Sequence, residues 1–321
     1  MPPGADAQVA VPTYIRTVQP FPPPYAVDVA LSRRSHERIG GRRTDDAWLV
    51  STWADHSTRV LVLAGGRFPL DETGTGVAWV SPQDAPPGER LLLGERDGLV
   101  HFVVLPSSFR APEEWGTLRA TGPDLSEADR GFVVQAQSLW EWHRAHRFCP
   151  RCGGGLNVSS GGYVLVCESC ERQHFPRADP AVIMLVTDGG VGGQERALLG
   201  RQPVWPEGRY STLAGFVDPG ESLEEAVVRE VREEAGVEVT DVTYFGNQPW
   251  PFPSSLMVGF FARAVTTEIH LDDDELEAAR WFSRDEMRAE AEEGTLVLPG
   301  GISISRSLIE AWYGGPLPGQ W

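Results

Sequence analysis

Three glutamates, Glu230, Glu233 and Glu234, stand at i, i+3 and i+4 shortly after the run Gly215-Phe216-Val217-Asp218-Pro219-Gly220-Glu221. Taking about 100° per residue, Leu223, Ala226, Val227 and Val231 define one face of a helix over 222–235, and the three glutamates fall on that face in its last two turns. Carboxylates turned toward a core are costly unless a cation compensates them. At this spacing they converge to suit a hard divalent cation, Mg²⁺ or Mn²⁺, able to carry a polyphosphate, neutralise its charge and polarise an attacking water. The alternative is a solvated acidic face with i,i+4 arginine pairs, which suits Glu224, Glu225 and Arg232 but not the three inward positions.

A second constellation is Cys149-Pro150-Arg151-Cys152 with Cys167-Glu168-Ser169-Cys170, fourteen residues apart. Each pair sets two thiolates on one tight knuckle. The segment 156–166, with a turn at Gly161-Gly162, folds as a hairpin that brings the knuckles together. Four thiolates close the tetrahedral shell of a structural Zn²⁺, so this ion is not the catalyst. Buried free cysteines or a redox pair would not need two matched knuckles.

The third is Asn247-Gln248-Pro249-Trp250-Pro251-Phe252-Pro253-Ser254-Ser255-Leu256-Met257. Its prolines fix φ and remove backbone donors, holding Trp250 and Phe252 on a rigid loop as an aromatic platform for a flat base or pyridine ring. The alternative is a core loop packed by aromatics.

Composition bounds what else the chain does. It has 321 residues, enough for two or three modules, and a formal charge of −17 from 28 basic and 45 acidic residues. All the basic residues are arginine, which excludes a Walker-type lysine, a Schiff base and a pyridoxal anchor. The acidic excess repels long polyanions except where arginines cluster locally. Residues 1–8 lack a signal-peptide pattern, no apolar run approaches roughly 18 residues, and the cysteines do not form a disulfide framework, so a soluble cytoplasmic protein with no membrane partner is expected.

The elements that must hold these groups follow from apolar runs and turn signals. Residues 1–25, rich in proline, form an extended lead-in. Runs at 60–63, 77–80, 91–93 and 99–105 read as strands, the last two joined across 94–98 as a hairpin, so 26–145 is a β-rich N-terminal domain. It ends in a helix over 126–146, where Phe132, Ala136, Leu139, Trp140 and His143 recur at three or four. The cysteine ribbon takes 146–175. Strands at 181–186, 197–199, 242–245 and 256–264, the glutamate helix stopped by Gly236, a polar acidic stretch from Glu275 and a helix over 305–312 fill 176–315.

The segment 215–237 matches the Nudix box GX5EX7REUXEEXGU at every fixed position, and the chain resembles that superfamily. The aromatic segment resembles the SQPWPFPxSxM signature of NADH pyrophosphatases of the NudC type, with Asn247 for the usual serine. That family carries a zinc ribbon before its Nudix domain and a β-rich domain before that, so the resemblance spans roughly residues 30–315. It implies an α+β chain whose Nudix α/β/α sandwich follows both. The implied activity is hydrolysis of NADH or NAD to the nicotinamide mononucleotide and AMP, with NAD-capped RNA as a further substrate and a homodimer as the working form. Glu230 and Glu234 are the implied metal ligands and Glu233 assists, with the Ala214 carbonyl and Glu275 as further ligands; Arg229 orients the glutamates and Glu221 fixes the loop. Phe175 and Phe216 are implied as ring walls, and Gln248, Pro249, Trp250, Pro251, Phe252, Pro253, Ser254, Ser255 and Met257 as lining the dinucleotide. Ser305 and Arg119 are implied substrate contacts. Within and outside enzymes the rivals are a broader hydrolase of ADP-ribose or diadenosine polyphosphates and a silent nucleotide sensor.

Overall fold

The computed structural model describes residues 29–32, 35–191, 193–271 and 275–319; the lead-in expected over 1–25 lies outside them. In chain order the elements are α1 (Asp46–Trp53), β1 (Arg59–Val62), β2 (Arg67–Phe68), β3 (Gly88–Arg96), β4 (Leu99–Pro106), β5 (Gly116–Thr117), α2 (Leu118–Thr121) and α3 (Glu127–Ala145). Then follow β6 (Leu156–Ser159), β7 (Val164–Cys167), β8 (Gln173–His174), β9 (Asp179–Thr187), β10 (Ala197–Arg201), β11 (Leu213–Phe216) and α4 (Leu223–Ala235). The last are β12 (Val239–Trp250), β13 (Ser255–Ala264), β14 (Ala278–Phe282), α5 (Arg284–Glu293) and α6 (Ile304–Tyr313).

In the N-terminal unit β1 runs parallel to β4, and β3 and β4 form a hairpin turning on Asp97-Gly98, both at positive φ. The turn is therefore two residues and not the whole of 94–98. Residues 77–80 are not a strand: only isolated bridges, Leu70 to Val77 and Val60 to Val80, tie them down. Helix α3, capped by Ser126, lays its apolar face on this sheet through Phe132, Val133, Ala136 and Leu139. Phe132 is sandwiched between the rings of His36 and His101, at centroid distances of 3.8 and 4.3 Å. Burial pushes both imidazoles down to about 4, so they are neutral at ordinary pH.

The C-terminal unit is a six-stranded mixed sheet in the order β12-β13-β9-β10-β14, with β11 paired to β9. Strand β9 is apolar on both sides, as a covered central strand must be. Its Val182, Met184 and Val186 meet α4, while Ile183 and Leu185 meet α5 and α6. The result is the α/β/α layering expected. The acidic stretch after Glu275 holds β14 and α5, neither expected: their apolar positions, such as Phe282, Met287 and Ala291, are few and widely set among charges. The aromatic segment also differs from expectation, since 247–250 end β12 and pair with β13 through Gln248 to Met257 and Trp250 to Ser255. It is a hairpin tip rather than a free loop.

The two units meet through residues 29–31. Val29 lies in the C-terminal core and Leu31 in the N-terminal one. Among the described residues no helix is long and apolar enough to cross a membrane.

Candidate active site

Helix α4 begins at a capping box, Ser222 with Glu225, and ends at Gly236 in the left-handed region. Before it, Arg229 organises the glycine-rich loop. Its guanidinium donates to both oxygens of Glu221 at 2.8 Å, to Glu230 Oε1 at 2.8 Å, to Glu233 Oε2 at 2.9 Å and to the Phe216 carbonyl at 2.8 Å. Glu221 in turn accepts from the Asp218 N–H at 3.0 Å. One cation thus fixes loop and helix together, the orienting and loop-fixing arrangement expected of Arg229 and Glu221.

The three glutamates are not equivalent. Glu230 is buried beside Gly215, where a Cβ would stand 1.8 Å from the Glu230 Cδ, so glycine is required there to make room for the carboxylate. Glu233 leaves the core: its side chain is 47% exposed, on the flank of α4. This corrects the expectation of three inward carboxylates. Glu230 and Glu233 share the Nη1 of Arg229, while Glu234 is buried and accepts from the Ala214 N–H.

Glu234 carries the strongest electrostatic signal. Burial pushes its carboxyl up to about 8, and the neighbouring Glu230 and Glu275 push the same way. Burial also raises Glu230, against the opposing pull of Arg229. The Glu234 Oε2 is buried without a hydrogen-bond partner. An orphaned, buried carboxylate oxygen on a residue that feels two other carboxylates fits a hard divalent cation, whose charge would lower all three costs together. Glu275, exposed on the turn before β14, is therefore near enough to act on both glutamates. Ala214 sits in β11 opposite Ile183.

The expected ligand contacts divide by exposure. Phe175, just past β8, and Phe216, at the end of β11, are 59% and 60% exposed, so their ring faces are open to a ligand. Trp250 and Phe252 instead pack edge to face on each other at 5.0 Å and against the N-terminal core, and Arg119 lies over both, 4.4 Å from the Phe252 ring and 5.4 Å from that of Trp250. They plug the seam between units and are not a free-standing platform. Gln248 is fully buried, donating to the carbonyls of Ala30 at 2.6 Å and Ile302 at 2.7 Å and accepting from the Ile304 N–H at 3.0 Å. Its side chain is spent on main chain, which corrects the expectation that it lines a ligand. Ser305 is likewise 1% exposed, its hydroxyl bonded to Ser211 and Thr212.

At the hairpin tip Pro251 is buried, Pro253 exposed, and Pro249 faces Leu256 across the strands; the Phe252-Pro253 peptide is cis. Ser254 donates to Asp179 at 2.6 Å, Ser255 pairs with Asp179 in register, and Met257 packs on the core. Asp179, also bonded to Arg177 at 2.8 Å, links the ribbon's exit to this tip; a charge opening an apolar strand leaves no periodic signal in the sequence.

The four cysteine sulfurs lie within 4.8 Å of one another, with Cys149 beside Cys170 and Cys152 beside Cys167. Main-chain bonds from Gly153 to Cys149 and from Glu171 to Cys167 form the two knuckles, and β6, β7 and β8 make the ribbon. The donor set fits zinc.

A family model for the NUDIX domain matches residues 177–297, and one for the NADH pyrophosphatase zinc ribbon domain matches 144–175. The chain is 40% identical over 304 residues to the NAD-capped RNA hydrolase NudC of Mycobacterium bovis (strain BCG / Pasteur 1173P2), covering 88% of this chain and 94% of that one. It is 40% identical over 241 residues to the NAD-capped RNA hydrolase NUDT12 of Homo sapiens, covering 68% of this chain and 51% of that protein. Among solved structures, a NUDIX hydrolase from Nitrosomonas europaea aligns with a TM-score of 0.41 at 21% identity, over 54% of this chain and 96% of that one.

Proposed function

The chain belongs to the NudC family of zinc-containing Nudix hydrolases, and on that premise we propose that it cleaves the diphosphate of NADH and NAD to the nicotinamide mononucleotide and AMP, and removes NAD caps from RNA 5′ ends. The observation that carries the reading is Glu234, an intact box glutamate buried with an unpartnered oxygen and a carboxyl raised to about 8. A silent nucleotide sensor would have no use for that cost.

Glu230, Glu234, Glu275 and the Ala214 carbonyl would hold the catalytic Mg²⁺ or Mn²⁺. Held there, such an ion would supply charge neutralisation to the diphosphate and make its phosphorus more electrophilic. Arg229 keeps Glu230 and Glu233 in register with the loop. Glu233, the most exposed of the three, has its Oε2 on Arg229 and its Oε1 left to take the proton of an attacking water. The water oxygen bonds to one phosphorus as the bridging P–O bond breaks, leaving one phosphate on each product. Phe175 and Phe216 supply ring faces to the base or pyridine. Trp250, Phe252, Gln248 and Ser305 act at one remove, by fixing the hairpin tip and α6 around the site. Working as a cytoplasmic homodimer, with a division at 26–145, 146–175 and 176–315, completes the reading.

Mass spectrometry of products from NADH, NAD, ADP-ribose and NAD-capped RNA, each with purified protein and divalent metal, tests it. Mononucleotide and AMP from NADH, with cap removal from RNA, are expected. Equal cleavage of ADP-ribose would widen the reading to a general dinucleotide hydrolase, and no cleavage of any would overturn it.

A further inference from the structure

Two cavities of the N-terminal unit adjoin at Ser107 and belong to nothing described so far. One, of ≈ 750 Å³, is lined by Arg67, Arg110, Ser108 and Phe109. The other, of ≈ 510 Å³, is lined by Leu105, Trp140, Arg144 and Arg147. Four arginines thus line the two cavities, against only Glu89 and Glu113 in their linings, on a chain whose net charge is −17.

Part of that charge is already committed. Arg67 donates to the carbonyls of Glu113 and Trp115, Arg144 pairs with Glu141 at 2.7 Å, and Glu89 faces His143 at 3.4 Å. Arg110 and Arg147 are exposed and form no ion pair among the described residues. Rings alternate with these cations: Phe109 is 43% exposed and rests on Trp115, and Trp140 is half-buried beneath Arg144 at 5.1 Å. Unpaired guanidiniums, hydroxyls and ring faces in alternation match a single-stranded polynucleotide, whose phosphates take the cations and whose unstacked bases take the rings. Arg67 of β2 pairs with Thr117 of β5, two residues before the Arg119 that covers Trp250 and Phe252.

We propose that this groove holds the single-stranded RNA that follows an NAD cap, so the N-terminal unit is the RNA-chain subsite of the enzyme. The proposal rests on the cap-removal reading above. It explains how an acidic chain without lysine tolerates a polyanion: the repulsion is local everywhere except along this track.

The test is fluorescence anisotropy of a short uncapped single-stranded RNA with the wild type and an Arg110→Ala/Arg147→Ala double variant, together with kcat/KM for NADH and for capped RNA. The double variant is expected to bind RNA about tenfold more weakly, with a log K against log salt slope shallower by about 1.4 for two lost phosphate contacts. Its kcat/KM should fall by the same factor on capped RNA and stay unchanged on NADH. Wild type that fails to bind the uncapped RNA, a double variant that binds it as well, duplex RNA bound as tightly as single-stranded, or a parallel loss on NADH would each overturn the groove. If no cap is removed yet uncapped RNA still depends on the two arginines, the cleavage reading fails and the groove stands.

Discussion

Replacing Glu234 by Gln should move activity and metal-free stability in opposite directions. The carboxyl is shifted from 4.5 to about 8 chiefly by burial. A folded value raised above the unfolded one means that the unfolded chain gives up the proton first, so stability is intact below pH 4.5 and is lost as pH rises through about 8. Near the upper end the loss approaches roughly 4 to 5 kcal/mol. The amide keeps an acceptor for the Ala214 N–H but leaves a buried N–H₂ without a partner where Oε2 lies orphaned, which costs about 1–3 kcal/mol. Glu234→Gln should therefore be more stable than the parent by about 1–4 kcal/mol in chelator near pH 8, and lose that lead toward pH 4.5. Divalent metal should raise the melting temperature of the parent far more than that of the variant. Turnover of NADH should nevertheless fall by about 10² or more. The assay is thermal unfolding with and without metal across pH, beside steady-state kinetics. A variant less stable than the parent in chelator near pH 8, or one that keeps its turnover, refutes the reasoning.

Gly215→Ala should cripple activity with modest loss of fold, since its methyl falls on the Glu230 carboxylate; unchanged kcat would show that Glu230 has room elsewhere. One zinc per chain should copurify, and chelating it or substituting Cys167 by Ser should lower the melting temperature; metal analysis of reduced protein checks the first and calorimetry the second. Phe175→Ala should raise KM for NADH about ten- to a hundredfold, worth about 1–3 kcal/mol of stacking, whereas Trp250→Ala should act mainly on stability; equal effects of both on KM would contradict the seam role of Trp250. Below pH 6.5 the unfolded chain protonates His36 and His101 while the fold resists until about 4, so stability should fall across that window; a His36→Gln/His101→Gln variant with an unaltered acid limb would exclude them as its cause.

Much of the fold is legible in the sequence where a single period or motif governs. Helix α4 has its apolar face and its Gly236 stop, α3 its three-four spacing, and the cysteine pairs their knuckles. Legibility fails where the signal is tertiary. Strand β14 and helix α5 are masked by charge because only one side of each meets the core. The prolines of the aromatic segment suggest a loop, but Pro249 and Pro251 bracket a strand end whose pairing supplies the order. At the site, periodicity places Glu230 and Glu234 inside, and misplaces Glu233 because the core is narrower than the helical face and Arg229 draws that carboxylate outward. Nothing local distinguishes Gln248, a buried clamp, from a polar residue beside a ligand; its partners are 218 and 54 residues away.

That clamp bears on how such a chain can be inherited. Gln248 ties β12 to Ala30 and to the start of α6, while Val29 and Leu31 are seated in separate cores. A recombination that carried off residues 177–297 alone would strand a buried amide hydrogen, empty the place of Val29 and expose Trp250 and Phe252. Each loss has to be repaired at a different point along the chain. Fusion is therefore easier than separation: with the join sealed in this way, the N-terminal unit cannot be cut away without repairing the C-terminal one at several points.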